Sequence, residues 1–239
     1  MDRTGIVLVK TGDTFPDIRE TLQDFEHWIT RGLGVDPRQI DVVNAPALDP
    51  LPGAAVIAGV VIAGSHAMVT QNLDWSLRVE KWLAPVVGAG IPVLGICYGH
   101  QLLAKAMGGL VDFHPQGLEI GTAAIHLTHA ATADPLFHDL PAVITAHTCH
   151  SQTVLRLPEG AVCLAENSHD PHHAFRLGRA AWGVQFHPEY SRAVMAGYID
   201  NMVPVITALG KDADQLRRSV TDTPEALKIL ERFAGLCLA

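Results

Sequence analysis

Three residues in this sequence have the types needed to cleave an amide together: Cys97, His187 and Glu189. Cys97 lies in G-I-C-Y-G-H-Q, residues 95–101, with Gly95 and Gly99 two positions to either side. That is the arrangement of a nucleophile elbow with Cys in place of the Ser of G-x-S-x-G. In an elbow a strand turns abruptly into a helix and the nucleophile takes a strained backbone conformation. Glycines flank it because side chains there would collide with each other and with a bound substrate. A thiol at the first turn of a helix also sees the positive end of the helix dipole, which favours thiolate. A small buried cysteine in a parallel-strand core has the same local pattern. A cysteine nucleophile further needs a base to take its proton and a third group to orient that base. His187 and Glu189, in G-V-Q-F-H-P-E at 183–189, could supply both. Residues two apart at a strand end point to the same side, and Pro188 stiffens the turn between them.

Positioning these side chains requires two strands and a helix. The apolar run 91–96 predicts the strand before the elbow, 102–107 the helix after it, and 180–186 a strand that delivers His187. Residues 5–9, 40–43 and 55–63 predict three more strands, the last nearly all apolar, as expected of a parallel strand buried on both faces. Asp17, Ile18, Arg19 and Glu20 resemble a capping box with Asp as cap, and Ile18, Leu22, Phe25 and Ile29 follow at helical spacing. Residues 75–87 predict another helix. This order implies a helix-flanked parallel sheet with function at the carboxyl ends of its strands. After Gly108 and Gly109, which end the elbow helix, short apolar runs at 111–113, 119–127, 142–147, 161–165 and 174–177 suggest an antiparallel or mixed portion. From Arg192 the tail reads as helical: one long pattern ends at Gly210, and Thr223 caps a further helix with Pro224 in its first turn.

With 239 residues, 48% of them hydrophobic, the chain can bury a sizeable core. We expect one α/β domain over residues 1–191, with a helical extension at 192–239 packed on it. Net charge is −8 and the basic residues are dispersed, which argues against a nucleic-acid surface. No apolar run approaches the roughly 18 residues that span a bilayer. The N-terminus also lacks a signal-peptide pattern, so a cytoplasmic protein without membrane attachment is expected. Cys97, Cys149, Cys163 and Cys237 are too few and scattered for a disulfide framework, in keeping with a reducing compartment. The clusters His147-Thr148-Cys149-His150 and His169-Asp170-Pro171-His172-His173 hold ligand-type residues but no recognised zinc spacing, and read as solvated loop histidines. Neither a metal nor another cofactor is expected, and no P-loop is present.

The pair G-I-C-Y-G-H-Q and G-V-Q-F-H-P-E, in this order, resembles the class I (triad) glutamine amidotransferase family, most closely the glutaminase part of GMP synthetases. The likeness runs from about Gly5 to Ser191. It implies a flavodoxin-like α/β sandwich with a central, mainly parallel sheet, a smaller antiparallel portion and a C-terminal helical extension. By this resemblance Cys97 is the nucleophile, His187 the general base and acid, and Glu189 its orienting partner. The oxyanion hole would use the backbone N–H of Tyr98 and one from a glycine-rich loop, here Ala63-Gly64-Ser65-His66. Ser65 replaces the family's second glycine there, and His66 its proline. Gly64, Gln101, His150, Ser151 and Gln152 correspond to substrate-contacting positions, with Gln152 replacing an acid. The implied reaction is hydrolysis of the glutamine side-chain amide through a γ-glutamyl thioester, with ammonia passed to a separate synthetase subunit. A stand-alone γ-glutamyl hydrolase or peptidase with the same triad is the alternative, and a non-catalytic binding module a third.

Overall fold

Alternation of apolar side chains along short strands builds a single large sheet with a core on each face. The computed structural model describes residues 5–238, so the first four residues, on which the reading of the N-terminus partly rests, lie outside it. In chain order the first half contains β1 (Ile6–Lys10), α1 (Pro16–Leu22), α2 (Phe25–Leu33), β2 (Ile40–Asn44), β3 (Gly59–Ile62), α3 (Asp74–Gly88), β4 (Val93–Ile96) and α4 (Tyr98–Ala106). The strands β5 (Leu110–Phe113), β6 (Glu119–Leu127), β7 (Val143–His150), β8 (Gln152–Arg156), β9 (Ala161–Glu166), β10 (Ala174–Leu177) and β11 (Ala181–Val184) follow. Four helices close the chain: α5 (Arg192–Asn201), α6 (Val203–Ala208), α7 (Ala213–Arg218) and α8 (Pro224–Leu238).

The main sheet has the order β2-β1-β3-β4-β11-β10-β9-β6-β7. The strands from β2 to β11 pair in parallel, and from β10 onward the pairing is antiparallel. Strands β5 and β8 form a separate antiparallel pair. Ile6 and Leu8 of β1 join a core with α2, α5 and α8, whereas Val7 and Val9 face α3 and α4. This is the helix-flanked α/β sandwich expected.

Some elements depart from the expectations. The helix expected through Ile18 and Ile29 is broken at Gln23, whose φ of 75° ends α1. Asp24, not Asp17, is the cap: its side chain accepts from the amide of Phe25 and opens α2. Residues 54–56 form a 3₁₀ turn, which shortens the expected 55–63 strand to β3. The long tail helix is divided at Met202, because Pro204 at the start of α6 has no N–H to continue the ladder. Strand β8 and helix α7 were not foreseen.

Candidate active site

Strands β4 and β11 lie side by side in parallel, with Gly95 opposite Gly183 and Ile96 opposite Val184. The two motifs therefore leave the sheet at the same level and on the same edge. Cys97 follows β4 directly and its amide donates to the carbonyl of Val184 at 2.8 Å. Its φ of 51° and ψ of −99° are the strained geometry of an elbow. A Cβ on Gly95 would lie 2.3 Å from the carbonyl oxygen of Gly99, and one on Gly99 2.3 Å from that of Ile62. Only glycine lets the turn close so tightly against itself and against β3.

Beyond β11, the amide of His187 donates to the carbonyl of His147 at 2.8 Å, which pins the motif to β7. His187 Nδ1 donates to Glu189 Oε1 at 2.7 Å, the Cys97 thiol lies 3.8 Å from the carbonyl of Cys149, and the ring is near enough to Cys97 for the two to interact electrostatically. The ring of Tyr190 stacks on the imidazole with centroids 3.9 Å apart and planes 15° from parallel. Phe25 stacks at 6.3 Å. Burial is the largest influence on His187 and opposes its charge, but Glu189 and Cys97 together outweigh it and push the pKa up to about 10. The site thus favours an imidazolium beside the sulfur.

A cavity of about 280 Å³ opens at Cys97, lined by Ser65, Tyr98, Gln101, His150, Ser151 and Gln152 among others. These are the expected site residues save Gly64, His187 and Glu189. Gly64 acts by clearance, since a Cβ there would lie 2.9 Å from His187 Cε1. Among the described residues, neither the Tyr98 nor the Ser65 amide takes part in a backbone hydrogen bond of the surrounding turns. The Ser65 hydroxyl donates to the carbonyl of Thr11 at 2.8 Å and accepts from the amide of Ala67, so this side chain braces its loop. Gln101 Nε2 donates to the carbonyl of Gln152 and to Gln185 Oε1, at 2.7 and 2.9 Å. Gln152 turns its own amide to Thr70, donating to its hydroxyl at 2.6 Å. Both therefore shape the wall, with the amide nitrogen of each already engaged. A larger cavity of about 450 Å³ lies beside Glu189, Tyr190 and Arg31, away from the sulfur.

Two parts of the site were missed from the sequence. The cavity is also walled by Phe15, Tyr198 and Met202, the last two from the tail, and by His66, expected only as part of the glycine-rich loop. The Tyr198 hydroxyl accepts from Thr14 and contacts His66 Nε2 at 3.1 Å. No local signal marks Tyr198; only its helical phase could have placed it inward. Tyr190 could have been suspected as an aromatic directly after H-P-E. The histidine clusters are a correction: His147, His150 and His173 are buried, as is Asp170, and do not form solvated loops. His147 and His150 lie on β7, the edge strand of the main sheet, with their side chains buried, and burial, aided by the charge of His187, pulls the pKa of His147 down to about 4.

An α/β sandwich carrying a cysteine elbow and a histidine–carboxylate pair on adjacent parallel strands is the class that fold and site define. Within that class the chain belongs to the glutamine amidotransferase class-I family, whose model matches residues 19–203. It is 33% identical over 205 residues to a glutamine-hydrolysing GMP synthase of Aeropyrum pernix, covering 83% of this chain and 36% of that protein. It is also 33% identical over 147 residues to gamma-glutamyl peptidase 4 of Arabidopsis thaliana, covering 61% of this chain and 59% of the peptidase. The chain thus spans about a third of that GMP synthase. Among solved structures, a glutamine amidotransferase of Thermotoga maritima superposes with a TM-score of 0.77 at 21% identity over 99% of both chains. A glutamine amidotransferase of Methylobacillus flagellatus gives 0.75 at 22% identity, over 98% of this chain and 94% of the other. These two likenesses establish the fold. No helix among the described residues is long and apolar enough to cross a membrane.

Proposed function

We propose that the chain hydrolyses the side-chain amide of glutamine through a γ-glutamyl thioester on Cys97. One observation carries this reading: the strained Cys97, at the end of a cavity, lies within electrostatic reach of an imidazole that is itself bound to Glu189. The Cys97 thiolate attacks the amide carbon, and the carbonyl electron pair moves to oxygen, where the amides of Tyr98 and Ser65 receive it. Collapse of that intermediate breaks the C–N bond as the imidazolium of His187 gives its proton to the leaving nitrogen, releasing ammonia. Neutral His187 then takes a proton from water, the hydroxide adds to the thioester carbon, and expulsion of the thiolate yields glutamate. Glu189 holds the imidazole in orientation and stabilises its charged form. The glutamine-hydrolysing GMP synthase relatives support passage of the ammonia to a synthetase partner.

A second reading, cleavage of γ-glutamyl peptides without transfer, is favoured by the cavity wall. Among its described lining residues there is no carboxylate, while Phe15, Met68, Leu118 and Met202 give it an apolar flank suited to a larger leaving group. The plant peptidase relative supports it as well. A purely binding module has no use for a buried imidazole tuned against a strained cysteine. The discriminating experiment supplies glutamine and a panel of γ-glutamyl peptides, and follows ammonia and free amino acids. Turnover of glutamine supports the first reading, and peptide cleavage in excess of glutamine turnover supports the second. Cys97→Ala should remove all turnover, and activity retained in that variant sinks both.

A further inference from the structure

Behind the cavity wall, Glu119 at the start of β6, His150 at the end of β7 and His173 before β10 converge, with one ligand-type atom from each within 4.8 Å of the others. Glu119 Oε2 lies 2.9 Å from His150 Nε2 and 3.1 Å from His173 Nε2. His150 is 4% exposed and His173 0%.

The hydrogen-bond accounting at this cluster calls for a positive centre. His150 Nδ1 donates to the carbonyl of Gln152 at 3.0 Å, while its Nε2 faces the carboxylate of Glu119. A carbonyl and a carboxylate only accept, and a neutral imidazole has one N–H to give. Something cationic, a proton or a metal ion, therefore belongs between Nε2 and Oε2. His173 distinguishes the two. Although wholly buried, neither of its ring nitrogens has a hydrogen-bond partner, and the 3.1 Å approach of Nε2 to Oε2 is not aligned for a hydrogen bond. A proton between Glu119 and His150 would leave His173 orphaned, at a cost usually avoided in a protein interior. A metal ion would take up Glu119 Oε2 and the Nε2 atoms of both rings at once, leaving only His173 Nδ1 without a partner. Ligand atoms at about 2.0–2.1 Å from a tetrahedral ion stand about 3.3 Å apart, close to the 2.9 and 3.1 Å that separate Glu119 Oε2 from the two rings.

The surroundings of the cluster have the form of a metal centre's outer layer. Metal-binding imidazoles commonly donate their second N–H to a backbone carbonyl, as His150 does to Gln152. Asn167 Nδ2 donates to Glu119 Oε1 at 2.7 Å, which leaves Oε2 as the atom turned to the two rings. The geometry points to a three-ligand site for a divalent transition-metal ion of the Zn²⁺ class, formed by Glu119, His150 and His173, with a fourth position for water. Because His150 also lines the cavity at Cys97, the ion would tie the cavity wall at 150–152 to β6 and to the segment 167–173. The site stands independently of the proposed reaction.

The test uses the untagged Cys97→Ala chain, so that the reactive thiol cannot compete for metal. After chelator treatment and desalting, Zn²⁺ binding is titrated against a chromophoric chelator, and Co²⁺ loading is followed by visible absorption. One equivalent per chain and an intense Co²⁺ spectrum of four-coordinate type are expected. His173→Phe, which keeps a ring in the buried space, should weaken Zn²⁺ binding by more than about 100-fold while far-UV circular dichroism is unchanged. If that variant fails to fold, X-ray absorption of the Zn²⁺-loaded Cys97→Ala chain must show two imidazoles in the ion's shell. Binding well below one equivalent to the folded protein, unaltered affinity in folded His173→Phe, or a shell without imidazole overturns the site.

Discussion

At the scale of single residues, the chemistry turns on how strongly His187 holds its proton. Its pKa is pushed up to about 10 because Glu189 and Cys97 outweigh burial, so the imidazolium is present through neutrality and lost only as pH rises through that value. If the imidazolium delivers the proton to the leaving nitrogen, kcat/KM should fall on an alkaline limb near pH 10. Glu189→Gln keeps a hydrogen-bond acceptor but removes the negative charge, so the limb should move to lower pH; a pH–rate profile checks this, and an unmoved limb contradicts the role given to Glu189. Cys97, His187 and Glu189, the residues proposed to act together, could be singled out in the sequence because each sits in a short motif whose spacing has a mechanical meaning. The companions of His187 could not. The stacking of Tyr190 and the clearance at Gly64 depend on where a ring comes to rest in three dimensions, which no spacing along the chain encodes.

At the scale of elements, the elbow is a packing problem that glycine solves at two places. At Gly95 a Cβ would meet the backbone of Gly99 and His100 at 2.3–2.7 Å, and backbone in the first turn of α4 cannot yield as a flexible side chain can. Gly95→Ala should therefore destabilise the fold by about 1–3 kcal/mol or more, as overpacking of a full interior does, read as a lowered midpoint in urea. An unchanged midpoint would mean that the elbow is looser than its contacts imply. The strands were legible where runs are apolar and bounded by turn residues, as at 119–127 and 174–177, which match β6 and β10 residue for residue. Helix boundaries were less so. The apolar phase of Ile18, Leu22, Phe25 and Ile29 continues across a break at Gln23, because α1 and α2 bury their apolar faces in the same core. Periodicity reports which face is inward, not whether the backbone stays helical. The burial of His147 and His150 was hidden for a related reason: on β7, an antiparallel edge strand, they take buried positions that apolar residues usually fill.

At the scale of the whole molecule, the tail after Ser191 is the part whose purpose the sequence left open. Its residues Met195, Ile199, Ile206, Ile229, Leu230 and Phe233 are fully buried in the core that also holds Ile6, Leu8 and Trp182. α8 packs against α2 and β7, and Tyr198 and Met202 of α5 and its C-terminal cap wall the cavity at Cys97. Burying one such large apolar side chain stabilises by roughly 1.5–3 kcal/mol, so six together are comparable to the whole net stability of an ordinary domain, about 5–15 kcal/mol. We therefore expect that a chain ending at Ser191, although it retains Cys97, His187 and Glu189, lacks a cooperative thermal transition and binds a hydrophobic dye. If the shortened chain instead melts cooperatively, the extension is separable from the domain. Tyr198→Phe isolates the smaller role: the fold should remain, because only a hydroxyl is lost. The contacts of that hydroxyl to Thr14 and His66 would disappear, so any defect should be seen in KM more than in melting temperature. The two variants together separate what the tail does for folding from what it does for the shape of the cavity.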